Sequence, residues 1–320
     1  SGCPSVSDWE FEAAHQSLNP NSAPGCYGIS ASLLLLSLSS IKPHLLAILN
    51  ACMALYVFPT SWKVAKVKII GKPNKLDYSS LKSFRPISLV SNLSKILEKV
   101  ILSRLLWLAN SNDWFSTDQH GFREGKSTET AVHSLVSFIE RAFSDKQSCA
   151  TAFLDIQSAF DSAWHPAIIS ALSEKGCPSP LLHLIHSFLS DRQVILTVEG
   201  FSLTKPVRLG CPQGGVLSPF LWNVLIDNLL RPHSSSPVKI IAYADDITIA
   251  SRHKDPMLAT RYLQEACDRT ALWLESLQLS LNAIKSVFVL FAPRLRPNFD
   301  LSITINDVLV FPSTEVNFLG

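Results

Sequence analysis

Hydrophobic residues recur along the chain at two spacings, and each spacing predicts a different element. Between residues 89 and 109, leucine, isoleucine and valine follow the spacing of an amphipathic helix. Residues 149–156 are almost continuously apolar and reach Asp155, as expected of a buried strand. The same criteria predict further helices at 166–175, at 218–230 and after Asp255, and further strands at 193–199 and 287–291. This order indicates an antiparallel sheet with helices segregated on one face, an α+β fold.

Residues 241–250, IAYADDITIA, place two adjacent carboxylates in a run that is otherwise apolar and rich in strand formers. Successive strand side chains point to opposite faces, so Asp245 and Asp246 can share a ligand only if the chain reverses at or beside them. We therefore predict a β-hairpin whose tip holds both acids. Like charges this close raise each other's pKa unless a cation neutralises them, which makes a hard divalent metal the natural partner. The alternative is an exposed Asp-Asp turn that binds nothing.

A third acid, Asp155, stands at the end of a predicted strand in FLDIQSAFDS. If that strand and the hairpin are neighbours, Asp155, Asp245 and Asp246 can hold two Mg²⁺ ions about 3.5–4 Å apart, the arrangement used for in-line phosphoryl transfer. Mn²⁺ is a possible substitute. One ion would activate a hydroxyl nucleophile, and the other would neutralise charge on the leaving pyrophosphate.

Composition limits the classes of partner. At 320 residues, with 47% hydrophobic and 17% charged residues, the chain is a folded protein with one large or two moderate cores. The net charge is +2, so a nucleic-acid partner would have to be held by a local cluster of cations. One such cluster lies between Lys63 and Arg104, although a solvated helix face is an alternative for part of it. Its other basic members are Lys66, Lys68, Lys72, Lys75, Lys82, Arg85, Lys95 and Lys99.

Three classes of site or location are disfavoured. The seven cysteines are scattered without a C-x-x-C pair, which favours a reducing compartment and argues against a zinc site. The leucine-rich stretch 33–57 is interrupted by Lys42, Pro43 and His44, so neither half reaches the roughly 20 apolar residues of a membrane span. No signal peptide is evident. The chain lacks an initiator methionine and stops abruptly, as expected of a domain cut from a longer protein.

The segment HGFREGKSTET ends like a phosphate-binding P-loop, with Gly125, Lys126 and Ser127 in sequence. A P-loop needs four residues between its two glycines, but only three separate Gly121 from Gly125. An apolar strand is also missing before the segment, where the chain reads NDWFSTDQ. The sequence therefore argues against a P-loop ATPase or GTPase.

Several motifs together resemble one family. FRPISL, GFREGKST, FLDIQSAFD, GCPQGGVLSPFLWN and YADD are similar to motifs in the reverse transcriptase domain of non-LTR (LINE-type, jockey-like) retrotransposons. The resemblance covers nearly the whole chain, from NSAPGCYGIS at residue 21 to VNFLG at the end. It implies a right-hand polymerase with fingers and a ferredoxin-like palm. The implied limits are an N-terminal extension at 1–60, fingers at 61–148 and a palm at 149–320 with interleaved boundaries, the thumb being mostly absent.

The resemblance also implies an activity and partners. The chain would be an RNA-directed DNA polymerase that copies retrotransposon RNA into cDNA by two-metal nucleotidyl transfer. Its partners would be an RNA template, a DNA primer and dNTPs, and no membrane would be involved. The full-length polyprotein would carry further domains, such as an endonuclease. Its place would be inside the cell, in the nucleus or the cytoplasm. Two alternatives stay open: a catalytically silent nucleic-acid-binding remnant, and an RNA-dependent RNA polymerase on the same palm, which Ala244 and Phe160 disfavour.

Site residues follow from the resemblance by position. Asp155, Asp245 and Asp246 match the metal-binding acids. Phe160 matches a bulky gate under the incoming sugar, where a ring leaves no room for a 2′-hydroxyl; a plain core phenylalanine is the alternative. The implied nucleotide-binding residues are Lys72, Arg85, Phe160, Gln213, Gly214 and Lys285, the last as the acid that protonates pyrophosphate. The implied template and primer contacts are Lys63, Lys66, Lys68, Arg123 and Gly320.

Overall fold

Two four-stranded sheets form the framework of the protein, one in each of two compact units. The computed structural model describes residues 2–72, 77–80, 83–231, 237–293 and 301–319. The chain forms two compact units, the first made of Ser1–Trp114 and Trp164–Leu221 and the second of Phe115–Ala163 and Trp222–Gly320. The chain passes between the units three times, so neither unit is one continuous segment. The limits that the resemblance implies for fingers and palm stay a prediction.

Helices and strands alternate along both units. The helices are α1 (Asp8–Gln16), α2 (Ala31–Leu36), α3 (Leu38–Leu55), α4 (Asn92–Ser111), α5 (Thr128–Ser144), α6 (Ala159–Ser162), α7 (His165–Glu174), α8 (Ser179–Leu189), α9 (Ser218–Ile226) and α10 (Pro256–Ser276). The strands are β1 (Val64–Gly71), β2 (Phe84–Leu89), β3 (Ser148–Asp155), β4 (Arg192–Val198), β5 (Phe201–Val207), β6 (Val238–Tyr243), β7 (Asp246–His253), β8 (Val287–Phe291), β9 (Ile303–Ile305) and β10 (Val308–Val310). Short 3₁₀ turns occupy Thr60–Lys63 and Asp227–Leu230.

The first unit contains a sheet with strand order β2-β1-β4-β5. β1 runs antiparallel to β2 and parallel to β4, and β4 is antiparallel to β5. The alternation of lysine with valine and isoleucine in β1 places Lys66 and Lys68 on one face, where their cross-strand partners are Leu89 and Ile87. This alternation is that of a strand with one lysine-bearing face.

A buried carboxylate holds part of the first unit together. Glu98 in α4 is fully buried, and its Oε2 accepts hydrogen bonds from the backbone N–H groups of Val216 (2.6 Å) and Leu217 (3.2 Å). The hydroxyl of Ser94 donates to its Oε1 at 2.7 Å. The guanidinium of Arg192 is also buried, and the two charges attract each other. A charge without water needs such partners, so Glu98 fixes the segment that leads into α9.

The second unit contains a fully antiparallel sheet with strand order β6-β7-β3-β8. Helices cover both of its faces. Ala250 of β7 belongs to a core cluster with Leu135 and Ile139 of α5. The next residue, Ser251, points the other way and donates to the carbonyl of Ala259 in α10. The α+β class and the antiparallel sheet are confirmed. The predicted segregation of the helices on one face is wrong for this sheet, because α5 packs on the face opposite to α10.

The leucine-rich stretch was predicted to be interrupted at Lys42, Pro43 and His44, so that neither half could span a membrane. That prediction needs correction, because one helix continues through all three residues. α3 continues through Pro43 for 18 residues with a mean hydropathy of 1.3. Within the described residues it is the one helix long and apolar enough to cross a membrane, judged by length and composition alone. Leu45 and Leu49 are buried in the first unit, and Lys42 pairs with Asp8 (2.7 Å) and Glu12 (2.6 Å). Those contacts are typical of a helix packed in protein.

We predict that Glu98→Ala destabilises the protein by roughly 3–5 kcal/mol, because it leaves the buried N–H groups of Val216 and Leu217 and the charge of Arg192 uncompensated. Glu98→Gln, which keeps an acceptor, should cost about 1–3 kcal/mol. Glu140→Ala on the exposed face of α5 is the matched control, expected within about 0.5 kcal/mol of the parent. Urea unfolding followed by circular dichroism measures all three. Equal stability of Glu98→Ala and Glu140→Ala would show that Glu98 has no such role.

Candidate active site

The two adjacent acids lie at the tip of a β-hairpin, as predicted. β6 ends at Tyr243 and β7 begins at Asp246, and these two residues are cross-strand partners. Ala244 and Asp245 form the two-residue turn between them, with Ala244 in the left-handed region at φ 55°. A two-residue hairpin turn requires such backbone angles because its twist must match that of the strands.

The third acid stands on the neighbouring strand. Asp155 is the last residue of β3 and pairs in register with Asp246, the first residue of β7. Cross-strand partners project to the same face of a sheet, so both carboxylates share one face. The ammonium of Lys285 lies 3.3 and 3.2 Å from the two carboxylate oxygens of Asp155. The structure thus meets the condition, left open by the sequence, that the two acidic strands are neighbours.

The three acids repel each other. Loss of hydration, followed by the charges of Asp245 and Asp155, raises the pKa of Asp246 to about 6, against the opposing charge of Lys285. Asp246 itself remains solvent-exposed, so we give more weight to the neighbouring charges than to desolvation. A proton or a metal cation at this face would relieve the repulsion.

The donor chemistry of this face fits a hard divalent cation, because carboxylate oxygens are the ligands that Mg²⁺ prefers. The complete cluster is not assembled, however. Among the residues that the structure describes, no group of three or more His, Cys, Asp or Glu side chains lies close enough together to hold a metal ion. The ammonium of Lys285 contacts Asp155 instead. The strands that carry Asp155 and Asp246 are thus adjacent, but the three acids do not form one metal-coordination sphere in this structure.

The turn formed by Ala244 and Asp245, here called the acidic turn, is held in place by residues to which the sequence analysis gave no role. The indole N–H of Trp222 donates to the carbonyl of Ala244 at 2.8 Å. Gly121 packs so closely that a Cβ there would lie 2.2 Å from the backbone nitrogen of Ala244. The side-chain amide of Asn223 in turn donates to the carbonyl of Gly121 at 2.8 Å. For Trp222 and Asn223, a sequence signal was present in GCPQGGVLSPFLWN, where these two residues interrupt an otherwise aliphatic helix.

Phe160 is held between two aromatic side chains. Its ring centroid lies 5.2 Å from that of Trp222 and 6.1 Å from that of Phe122, the latter in an edge-to-face arrangement. Phe160 is half-buried, in the single turn of α6 that follows Asp155. Because Trp222 also bonds the acidic turn, the aromatic ring and the acids are supported by the same side chain.

Lys72 and Arg85 lie on the hairpin of β1 and β2 in the first unit. The backbone N–H of Lys72 donates to the carbonyl of Ser83 at 2.8 Å, and Arg85 pairs with Ile70. Arg85 is exposed and shares its sheet face with Lys66 and Lys68. The predicted basic surface therefore has at least these three members on one face.

Two of the predicted template contacts are withdrawn from solvent to different degrees, and their role in template binding stays a prediction. Lys63 is buried, and this burial lowers the pKa of its ammonium. Arg123 uses its guanidinium within the second unit, where it donates to the carbonyls of Ser116 (2.6 Å) and Gln119 (3.4 Å). Gly320, predicted as a primer contact, lies outside the described residues.

The Pro-Gln-Gly-Gly loop lies against the outer edge of β2. The backbone N–H of Ser88 donates to the carbonyl of Gln213 at 3.0 Å. Gly214 has φ +109°, and a Cβ there would lie 2.9 Å from the carbonyl oxygen of Ser88. Only glycine satisfies both conditions. Glu98, which anchors the next two residues, was missed by the sequence analysis, although a glutamate among the apolar positions of α4 was a visible signal.

Comparisons with known proteins agree with this geometry. Residues 70–320 match the family model "Reverse transcriptase (RNA-dependent DNA polymerase)". The chain is 34% identical over 318 residues to the "Probable RNA-directed DNA polymerase from transposon BS" of Drosophila melanogaster, covering 97% of this chain and 35% of that protein. It is 35% identical over 253 residues to the "RNA-directed DNA polymerase from mobile element jockey" of the same organism, covering 77% of this chain and 27% of that protein. The chain thus spans about a third of the length of these relatives.

A solved structure shares the fold. The truncated apo telomerase from Candida tropicalis superimposes with a TM-score of 0.55 over 78% of this chain and 53% of that chain, at 13% identity. At that identity the likeness concerns the fold alone. The resemblance to non-LTR retrotransposon polymerases is confirmed by the sequence relatives. The family model matches well over half of the residues of this chain, and the chain therefore belongs to the reverse transcriptase family.

Proposed function

We propose that this chain carries the polymerising centre of an RNA-directed DNA polymerase, which copies retrotransposon RNA into cDNA. The observation that carries the proposal is the register of β3 with β7, which sets Asp155 opposite Asp246 beside the turn that holds Asp245. Three carboxylates arranged to repel each other are costly unless a cation is part of the working state. Membership of the reverse transcriptase family supports the same activity.

Asp155, Asp245 and Asp246 would hold two Mg²⁺ ions, for which Mn²⁺ could substitute. Bound there, the ions would supply charge neutralisation and an activated primer 3′-hydroxyl. Asp246 must lose its proton to act as a ligand, and its pKa of about 6 leaves it mostly ionised at neutral pH. The ammonium of Lys285, now on Asp155, is the proposed proton donor to the departing pyrophosphate.

The remaining residues position the substrates, a dNTP, a DNA primer and an RNA template. Lys72 and Arg85 are proposed to bind the triphosphate, because cationic donors stabilise phosphate oxygens. Gln213 and Gly214 are proposed to contact the template base and the incoming nucleotide. Lys66 and Lys68, both exposed, are retained as sequence-independent contacts to template phosphates.

Two wider proposals rest on the family alone. The curated relatives are about three times as long as the matched region, which supports further domains such as an endonuclease in a longer polypeptide. Action inside the cell, in the nucleus or the cytoplasm, is proposed from the family resemblance alone.

We predict that Asp245→Asn lowers primer extension on an RNA template at least about 1,000-fold, because a metal ligand contributes several kcal/mol to the transition state. The assay uses dNTPs with Mg²⁺, and the chain is tested alone and within a longer polypeptide of the length of its relatives. Asp307→Asn is the matched control, since Asp307 is an exposed acid in the turn between β9 and β10. It should keep the parent rate.

Circular dichroism and primer-template binding must stay unchanged in Asp245→Asn for the comparison to hold. An Asp245→Asn variant that retains most of the parent activity would remove the metal assignment. A folded parent that binds primer-template but makes no cDNA would instead favour the silent remnant.

We predict that Phe160→Val admits ribonucleotides, so that the preference for dNTP over rNTP falls at least about tenfold, because the smaller side chain leaves room for the 2′-hydroxyl. Phe122→Val is the control, since it removes a ring that contacts Phe160 without opening the proposed gate. The ratio of kcat/KM for dCTP and CTP measures the effect. If Phe160→Val and Phe122→Val leave the ratio equally unchanged, Phe160 is a packing residue.

A further inference from the structure

The side chain of Trp222 in α9 makes two chemically different contacts with the candidate site. It is fully buried and belongs to the second unit, like the acids. Its indole N–H donates to the carbonyl of Ala244 in the acidic turn, and its ring packs on the ring of Phe160. One contact is a hydrogen bond and the other is between rings, so a substitution can remove the first and keep the second.

The hydrogen bond acts on a turn that is costly to form. Ala244 has φ 55°, in the left-handed region, where a residue with a Cβ is less stable than glycine. Backbone of this kind persists only when its surroundings fix it. The indole N–H, 2.8 Å from the carbonyl of Ala244 and carried by a fully buried side chain, is one such constraint.

The same hydrogen bond determines where Asp245 begins. The carbonyl of Ala244 and the backbone nitrogen of Asp245 belong to one peptide unit, which is planar. A donor that fixes the carbonyl therefore fixes the plane from which Asp245 extends. Asp155 ends β3 and Asp246 begins β7, so sheet pairing holds both of them. Asp245 is the one acid of the three that lies outside a strand, and the turn sets its backbone position.

The next residue of α9 supports the acidic turn indirectly. Asn223 is 1% exposed, and its side-chain amide donates to the carbonyl of Gly121 at 2.8 Å. Gly121 packs directly against the backbone of Ala244. The helix is thus bonded to the turn through Trp222 and to the segment packed against the turn through Asn223.

The indole ring makes the second contact of Trp222. Its centroid lies 5.2 Å from that of Phe160, with an angle of 31° between the two rings. Phe122 also contacts Phe160, but Phe122 is 56% exposed whereas Trp222 is fully buried. A ring packed in the interior has little room to move aside. Trp222 is therefore the more rigid of the two supports for the proposed gate.

We propose that Trp222 is a positioning residue with two separable roles. Its indole N–H places Asp245 for metal binding, and its ring holds Phe160 in place for selection of the sugar. The inference rests on the proposed polymerase function, because the acids and the gate are assigned there. It adds one side chain, with no assigned contact to metal or nucleotide, on which both requirements depend.

Two substitutions separate the roles. Trp222→Phe removes the indole N–H and keeps an aromatic ring, whereas Trp222→Leu removes both; Trp222→Met replaces Trp222→Leu if that variant does not fold. Trp114→Phe is the matched control. Trp114 is also buried, at 2% exposure, but its indole N–H has no hydrogen-bond partner among the described residues. The control therefore removes the same atoms from the interior without breaking a hydrogen bond.

The first role is tested without synthesis. Hydrogen–deuterium exchange follows the backbone amides of Asp245 and Asp246, and the electron paramagnetic resonance of free Mn²⁺ gives the affinity for metal. In Trp222→Phe we expect exchange in the turn at least about threefold faster and Mn²⁺ binding about three- to tenfold weaker, because one hydrogen bond is lost. Trp114→Phe should match the parent in both measurements.

The first role is overturned if Trp222→Phe and Trp114→Phe exchange alike in the turn, or if a parent that binds Mn²⁺ loses no affinity in Trp222→Phe. A parent that binds no Mn²⁺ would contradict the metal assignment of the proposed function instead. Exchange in the turn would then still decide whether the indole N–H holds Asp245.

The second role is tested by the ratio of kcat/KM for dCTP and CTP. We expect Trp222→Phe to stay within about twofold of the parent and Trp222→Leu to lower the ratio at least about threefold, because Phe160 loses the ring behind it. A ratio that Trp222→Leu leaves at the parent value would overturn this role. A parent that makes no product would overturn it together with the proposed function, whereas the exchange measurement would still decide the first role.

Discussion

The register of β3 with β7 is the constraint on which the site depends. It sets Asp155 directly opposite Asp246, and the tight turn before β7 adds Asp245 beside them. Directly opposed like charges destabilise a sheet, so the arrangement opposes the folding of the unit that contains it. The raised pKa of Asp246 is the measurable sign of that opposition. A structure that keeps such a conflict has a use for the charge.

The surroundings of the acids are built to hold them in spite of their repulsion. Trp222 bonds the carbonyl of the turn, Gly121 packs against its backbone, and Lys285 places a cation on Asp155. A comparable device operates in the first unit, where Glu98 anchors the backbone after the Pro-Gln-Gly-Gly loop. In both units, side chains without a proposed substrate contact, Trp222 and Glu98, fix backbone that carries or adjoins the proposed site residues. Backbone fixed in this way loses little entropy when a substrate binds.

Much of the fold followed from the sequence because short-range periodicity determines it. The buried strand ending at Asp155, the hairpin at the two acids and the helix after Asp255 were all predictable, since apolar runs and cap residues are local signals. β9 and β10 were missed because three-residue strands carry too little pattern. The continuation of α3 through Pro43 was missed because buried contacts of Leu45 and Leu49 outweigh a local breaker.

The position of the two acids at a hairpin tip was predictable from the sequence, but the contacts that support them were not. Adjacent aspartates in a strand-forming run pointed to a metal, whereas the burial of Lys63 and the internal bonds of Arg123 arise from tertiary packing that no local pattern encodes. The hydrogen bonds of Trp222 and Glu98 join residues far apart in the chain, and their partners are backbone groups without a sequence signature.

If the acids are held in a state that a divalent cation relieves, the pKa of Asp246 must respond to Mg²⁺, which ¹³C-carboxyl NMR can measure with and without the ion. We expect a pKa of about 6 in the absence of divalent ions. We expect this pKa to fall by at least about one unit when Mg²⁺ is added, because a bound cation favours the ionised form. An ordinary aspartate pKa of about 4 without metal, or a raised pKa that Mg²⁺ leaves in place, would show that the acids do not form such a site.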